Sequence, residues 1–220
     1  MTRAVVTAIF FEMLLGAGVA YGADLQIVIK DQHGVAVADA VVLATPVDTR
    51  LMARSRHQAE SVDQVDKQFV PLVKAVYVGS LVSFPNKDQI RHQIYSFSPA
   101  KPFESHLYAG TATPPILFDK PGVVVLGCNI HDWMVGYIYV SETPFFATTH
   151  EAGTATIEDL PAGNYRVRVW HPDLGQAEES TIQLVKVTDQ DPVSLEWRIS
   201  LKPVYHIPRI SDSSLASGYP

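Results

Sequence analysis

The chain has almost no cysteine: one residue, Cys128, in 220. An internal disulfide is therefore excluded, and with it the small disulfide-stapled scaffolds common among secreted proteins. Charge is also sparse. Charged residues make up 18%, the formal net charge is -6, and no basic run occurs. That balance argues against nucleic acid or an anionic membrane surface as partner. Beyond the N-terminal segment there is no long helical period and no apolar run long enough to span a bilayer. What the chain does have is apolar bulk, 47% hydrophobic residues, divided by 15 prolines and 13 glycines. A packed core is expected, built from short segments.

The N-terminus predicts export. Met1-Thr2-Arg3 is a short positive start, residues 4–20 are mostly apolar, and Ala20, Gly22 and Ala23 are small. This is the pattern of a signal peptide over residues 1–23. Glu12 and the short length of the run speak against an uncleaved membrane anchor. After export, a lone thiol in an oxidising compartment needs a cap, and a metal would cap it.

The rest reads as short strands, which predicts an all-β fold. Leu25, Ile27 and Ile29 alternate with Gln26 and Lys30. Tyr165, Val167 and Val169 alternate with Arg166 and Arg168. Leu195, Trp197, Ile199 and Leu201 form a last alternating set. Each is one buried and one wet face. Further strand signals fall at 40–43, 74–78, 81–84, 92–97, 123–126, 135–140 and 154–157. Residues 47–64 show neither period and predict a loop with at most one helical turn. The tail 202–220, rich in serine and proline, is expected to be loose. Many short strands at close spacing mean sandwiches and not a parallel α/β sheet.

The chemistry concentrates in G-C-N-I-H-D-W-M, where Cys128, His131 and Met134 follow the pattern C-x2-H-x2-M. Upstream, F-P-N-K-D-Q-I-R-H ends in His92. Thiolate, two imidazoles and a thioether are the ligand set of a blue copper centre, two histidines and a cysteine with a weak axial methionine. Thiolate is soft, imidazole suits both copper oxidation states, and a thioether favours the reduced one. Zinc on Cys128, the two histidines and Asp132 would leave Met134 unexplained. A cysteine hydrolase with His131 as base would need a substrate cleft that nothing here suggests. A tight loop between the strands at 123–126 and 135–140 is expected to aim Cys128, His131 and Met134 at one point, with His92 entering from a separate strand. Asp132 reads as a solvated loop residue and Trp133 as packing over that loop. Tyr137 and Tyr139 read as one face of a strand, and His57, His106 and His150 as ordinary histidines.

Residues 62–142 resemble a complete cupredoxin domain, a Greek-key β-sandwich of the amicyanin and plastocyanin kind. The resemblance rests on K-Q-F-V-P at 67–71, G-x-x-V-x-F-P-N at 79–86, His92, F-x-x-P-G at 118–122 and C-N-I-H-D-W-M at 128–134, in the family's order. It implies one type 1 copper ion on His92, Cys128, His131 and Met134. It also implies a supporting role for Asn86, whose counterpart hydrogen-bonds near the ligand loop.

D-L-Q-I-V-I-K-D-Q-H-G-V-A-V-A-D-A-V-V within residues 24–46 and A-G-T-A-T-I-E-D-L-P-A-G-N-Y-R-V-R-V-W at 152–170 together resemble a carboxypeptidase regulatory-like, transthyretin-like sandwich, which implies two parts at 24–46 and 143–201 with a linker at 47–61. The copper domain would then be inserted in a loop of this second small sandwich, which loop-closure entropy permits. The corner Trp170-His171-Pro172 reads as structural. The combination also resembles bacterial proteins labelled methylamine utilization protein.

These features predict a periplasmic type 1 copper protein passing single electrons between transient redox partners, with no catalytic residues and no nucleic acid or stable membrane contact. Two rivals remain at this stage. One is copper trafficking or sequestration on the same ligands. The other is a protein- or glycan-binding module with a structural copper.

Overall fold

The computed structural model describes residues 22–53, 59–110, 114–189 and 192–203. Among these, strands and two short 3-10 turns make up all the regular structure. No helix among them is long and apolar enough to cross a membrane. Residues 1–21 of the expected signal, His57, and the tail from 204 lie outside the described residues.

The two ends of the chain build one pair of sheets. Ala23–Lys30 lies between Thr154–Leu160, antiparallel, and Val193–Arg198, parallel. The second sheet orders Phe146–Thr148, Val41–Pro46, Gly163–Trp170 and Gln183–Val187. The alternating residues point as predicted. Leu25, Ile27 and Ile29 share one buried cluster with Val42, Tyr165, Val167, Val169 and Trp197. Each such side chain contributes about 1.5–3 kcal/mol on leaving water.

The middle of the chain builds a second pair. A five-stranded sheet orders Val73–Tyr77, His131–Ser141, Gly122–Cys128, Ile94–Ser96 and Phe103–Glu104. Opposite it stand Ile116–Phe118, Ser80–Ser83 and Ala59–Ser61. A hairpin, Asp63–Val65 with Gln68–Val70, closes one side. Phe69, Val82, Phe84, Phe118, Val124, Leu126 and Ile138 fill the space between, together with Cys128 and Met134.

The structure departs from the sequence pattern in several places. Thr49–Ala53 supplies the one turn expected in the 47–61 segment, but Ala59–Ser61 pairs in parallel with Ser80–Ser83. Those three residues carry no apolar alternation, so only the distant partner reveals them as strand. Gln183–Val187 is a strand although Leu184 on its outer face is 79% exposed. The last strand is Val193–Arg198 and ends before Ile199 and Leu201.

A third cluster joins the two pairs of sheets. Val41 and Leu43, on the opposite face of Val41–Pro46 from Val42 and Ala44, pack with Val73, Ala75 and Tyr139. Trp170 lies against Tyr139 and Tyr137, with ring centroids 5.3 and 6.0 Å apart. The Tyr139 hydroxyl donates to Glu178 at 2.7 Å, and Arg168 Nε donates to the same carboxylate at 2.7 Å. The uninterrupted apolar run at 41–44 is thereby explained: this strand is covered on both faces.

Candidate metal centre

The hairpin carrying Cys128 is tighter than the spacing suggests. Gly122–Cys128 and His131–Ser141 leave only Asn129 and Ile130 between them. In a regular strand, positions 128, 131 and 134 could not share a face, because the side-chain period is two. The ladder solves this with an irregularity. Gly127 pairs with Val135, but the next residue, Cys128, pairs with His131. Asp132, Trp133 and Met134 are thus extra on one strand, an enlarged bulge that breaks the regular register. Met134 ends buried in the core, 1% exposed, while Asp132 and Trp133 face solvent. His131 and Met134 therefore lie on a bulged strand, where a loop was expected.

His92 comes from elsewhere. It is not inside a strand but pairs with Tyr108 through an isolated bridge, just before Ile94–Ser96. Its ring is fully buried, 0% exposed. Its Nδ1 lies 3.7 Å from Cys128 Sγ, and His131 Nδ1 lies 3.8 Å from the same sulfur. One donor atom from each of the three residues falls within 4.8 Å of the other two. The two imidazoles stand 5.0 Å apart, centroid to centroid, and Trp133 sits 5.2 Å from His131 on the outer side. Three of the four expected ligands are thus brought to one point. Met134 belongs to the same core cluster as Cys128.

The polar surroundings differ between the two histidines. His131 is partly exposed and held below the ordinary histidine range, first by burial and then by the neighbouring His92 ring and Lys67 ammonium, with Asp88 opposing. It is therefore a neutral lone-pair donor at neutral pH. His92 makes a second contact, Nε2 to Asp88 Oδ2 at 2.7 Å. Burial works to raise the Asp88 carboxyl, but the Lys67 N–H, the His92 ring and the Asp66 N–H outweigh it and hold Asp88 low.

Asn86 bonds to the segment that carries His92. Its amide donates to the carbonyls of Ile90 and Tyr108, at 2.8 and 2.9 Å, and its oxygen accepts the Asp88 N–H at 2.9 Å. These bonds brace the segment leading to His92 and not the Cys128–Met134 side. Asp88 itself escaped the sequence reading. The signal was its position four residues before His92, but a single acidic residue in a polar loop carries no pattern.

The other residues fall as expected. His106 and His150 are exposed. His171 accepts the Asp173 N–H at 3.1 Å and bonds the Ala38 backbone, as a structural corner would. Tyr137 and Tyr139 do share one face, and the flanking sheets cover it.

No protein-family model matches the chain, and no curated protein matches it. Solved structures do. The chain is similar to cupredoxins over part of its length. A copper-containing nitrite reductase from Thermus scotoductus SA-01 is 30% identical over 39% of this chain, with a TM-score of 0.37. The match spans only 23% of that enzyme. A purple cupredoxin from Nitrosopumilus maritimus is 25% identical over 38% of this chain and all of its own, with a TM-score of 0.34. A mutant amicyanin in the Cu(I) state is 16% identical over 46% of this chain and 98% of its own, at 0.35. Each of these likenesses covers less than half of this chain.

Proposed function

We propose that His92, Cys128, His131 and Met134 bind one type 1 copper ion, and that the protein carries single electrons between transient partners without transforming a substrate. The observation that carries this is the convergence of two imidazole nitrogens on one thiol sulfur, at 3.7 and 3.8 Å, from two separate parts of the chain. The donor set fits the ion: sulfur and imidazole are the ligands copper accepts in both oxidation states, and the nitrogen each ring turns to the sulfur is Nδ1.

When bound, copper supplies a one-electron couple. The chain's own residues do the rest. Cys128 and Met134 sit in the apolar cluster with Leu126 and Ile138, and the His92 ring beside Cys128 is fully buried, which keeps water from these donors. The bulge and the Tyr108 bridge position the donors through backbone pairing. A framework set in advance changes little between oxidation states, which suits electron transfer better than handing the ion on. His131, partly exposed beside the half-exposed Trp133, offers partners the shortest way in. Docking there is expected to be small and short-lived.

The same proposal places the protein in the periplasm, exported by residues 1–23. It reads residues 62–142 as a cupredoxin domain inserted in a carboxypeptidase regulatory-like sandwich formed by 24–46 and 143–201. The test is copper addition to the purified protein, followed by visible and electron spin resonance spectra. An intense thiolate-to-copper band with one copper per chain supports the proposal, and a colourless complex rejects it.

A further inference from the structure

We infer that Asp88 is a positioning residue: gripped by the Asp66–Lys67 turn, its carboxylate fixes the His92 ring so that Nδ1 faces Cys128 before any ion arrives. This rests on the copper proposal for its purpose, but its geometry stands alone.

Three donors converge on this carboxylate. Asp66 N–H donates to Oδ1 at 2.7 Å, and Lys67 N–H donates to Oδ2 at 2.9 Å. His92 Nε2 lies 2.7 Å from the same Oδ2. The two backbone donors come from a turn with an unusual conformation. Asp66 and Lys67 both have positive φ, 51° and 58°, in the two-residue connection between Asp63–Val65 and Gln68–Val70. That is the turn type whose central residues favour asparagine, aspartate and glycine. Asp66 suits the first place and Lys67 departs from the pattern at the second, and the conformation aims both N–H groups at one acid. The Asp88 N–H is itself fixed by Asn86 Oδ1 at 2.9 Å, and the Asn86 amide ties to the Tyr108 carbonyl. The same carbonyl accepts the His92 N–H at 2.9 Å. Asp88, Asn86 and His92 thus form one closed unit.

The consequence for His92 follows from the donor count. An ionised carboxylate only accepts, so the nitrogen facing it must carry the proton. Nε2 is then N–H, and Nδ1, 3.7 Å from Cys128 Sγ, keeps its lone pair toward the sulfur. A carboxylate behind a ligating imidazole also raises the ring's basicity. It favours the more highly charged oxidation state and so lowers the reduction potential.

The test begins with the metal-free full chain, labelled with 15N, and the long-range proton–nitrogen spectrum of the His92 ring. An Nε2–H tautomer is expected; an Nδ1–H tautomer overturns the inference, whatever any variant does. The second arm is Asp88→Asn. Its one oxygen cannot serve three donors, and its NH2 must face either the Asp66 N–H or His92 Nε2. The variant is expected to show mixed His92 tautomers, ten- to a hundredfold weaker Cu(II) binding and a raised potential. Unchanged tautomer and unchanged Cu(II) affinity in that variant also overturn it. The two proposals fail separately. If the wild type gives no thiolate-to-copper band while His92 responds to Asp88→Asn, positioning holds and the copper proposal falls. A normal band with a His92 ring indifferent to Asp88 leaves copper standing and removes Asp88.

Discussion

His92 and Cys128 are 36 positions apart in the chain, yet Nδ1 of the one lies 3.7 Å from Sγ of the other, with Asp88 at the far side of the ring. A buried imidazole and a buried thiol so placed give the hydrophobic interior a polar centre, held by hydrogen bonds and bridges from both sides.

Met134 is 1% exposed and is assigned the axial place. Met134→Gln is expected to keep the blue colour and lower the reduction potential, because an amide oxygen is a harder donor than a thioether and suits Cu(II) better. Voltammetry checks this; an unchanged potential shows that the thioether is not a ligand. Met134→Ala would cost about 2–5 kcal/mol in the metal-free protein from the cavity left behind, read by urea unfolding.

Two glycines on neighbouring strands predict opposite outcomes. A Cβ at Gly136 would lie 2.8 Å from the Phe69 Cβ and 3.0 Å from its ring carbons, near the rigid base of a buried side chain. Gly136→Ala is therefore expected to destabilise by about 1–3 kcal/mol. A Cβ at Gly127 would meet Tyr95 at Cζ, 2.6 Å, and Oη, 2.8 Å. That is the far end of a half-buried ring that can swing outward. Gly127→Ala should cost clearly less, and equal unfolding midpoints for the two variants would contradict the contrast.

Tyr139 predicts a pH effect. Burial, then the bond to Glu178 and its charge, raise its phenol above the ordinary value of 10.0. The folded state thus holds this proton more tightly than the unfolded state. The associated stability is fully present below about pH 10 and is lost as pH rises further, by up to about 1.4 kcal/mol per pH unit. Tyr139→Phe has no proton to lose there. Its stability is expected to fall less steeply than the wild type above pH 10 in urea titrations; parallel curves would show that Tyr139 does not titrate differently on folding.

Leu43 tests the junction of the two pairs of sheets. It is fully buried in the cluster shared with Val73, Ala75 and Tyr139. Leu43→Ala is expected to cost about 2–5 kcal/mol while leaving the spectrum of copper-loaded protein as it is. Calorimetry decides how far the junction couples the units. A destabilisation confined to one of two resolved transitions would show that the shared cluster contributes little.

Much of the fold was readable along the chain because strand alternation is a local signal. Leu25, Ile27 and Ile29, or Tyr165, Val167 and Val169, declare their inward face without knowing what lies there. Ala59–Ser61 and Gln183–Val187 were not readable, since each becomes a strand only through a partner that carries the pattern. Tyr137 and Tyr139 were seen as one face, but the Trp170 and Leu43 that cover it come from distant segments.

The sequence by itself determined the donor types, a thiol, two imidazoles and a thioether, because side-chain chemistry is a property of each residue alone. It also determined the all-β character, since the period of two is written locally. Only the tertiary structure decided that His92 meets Cys128, that a bulge after Gly127 brings His131 round to the sulfur, and that Asp88 backs the buried ring. Those depend on register between strands and on contacts between segments far apart in the chain. Such quantities are set by the balance of packing and hydrogen bonding over the whole molecule, and no short stretch contains them.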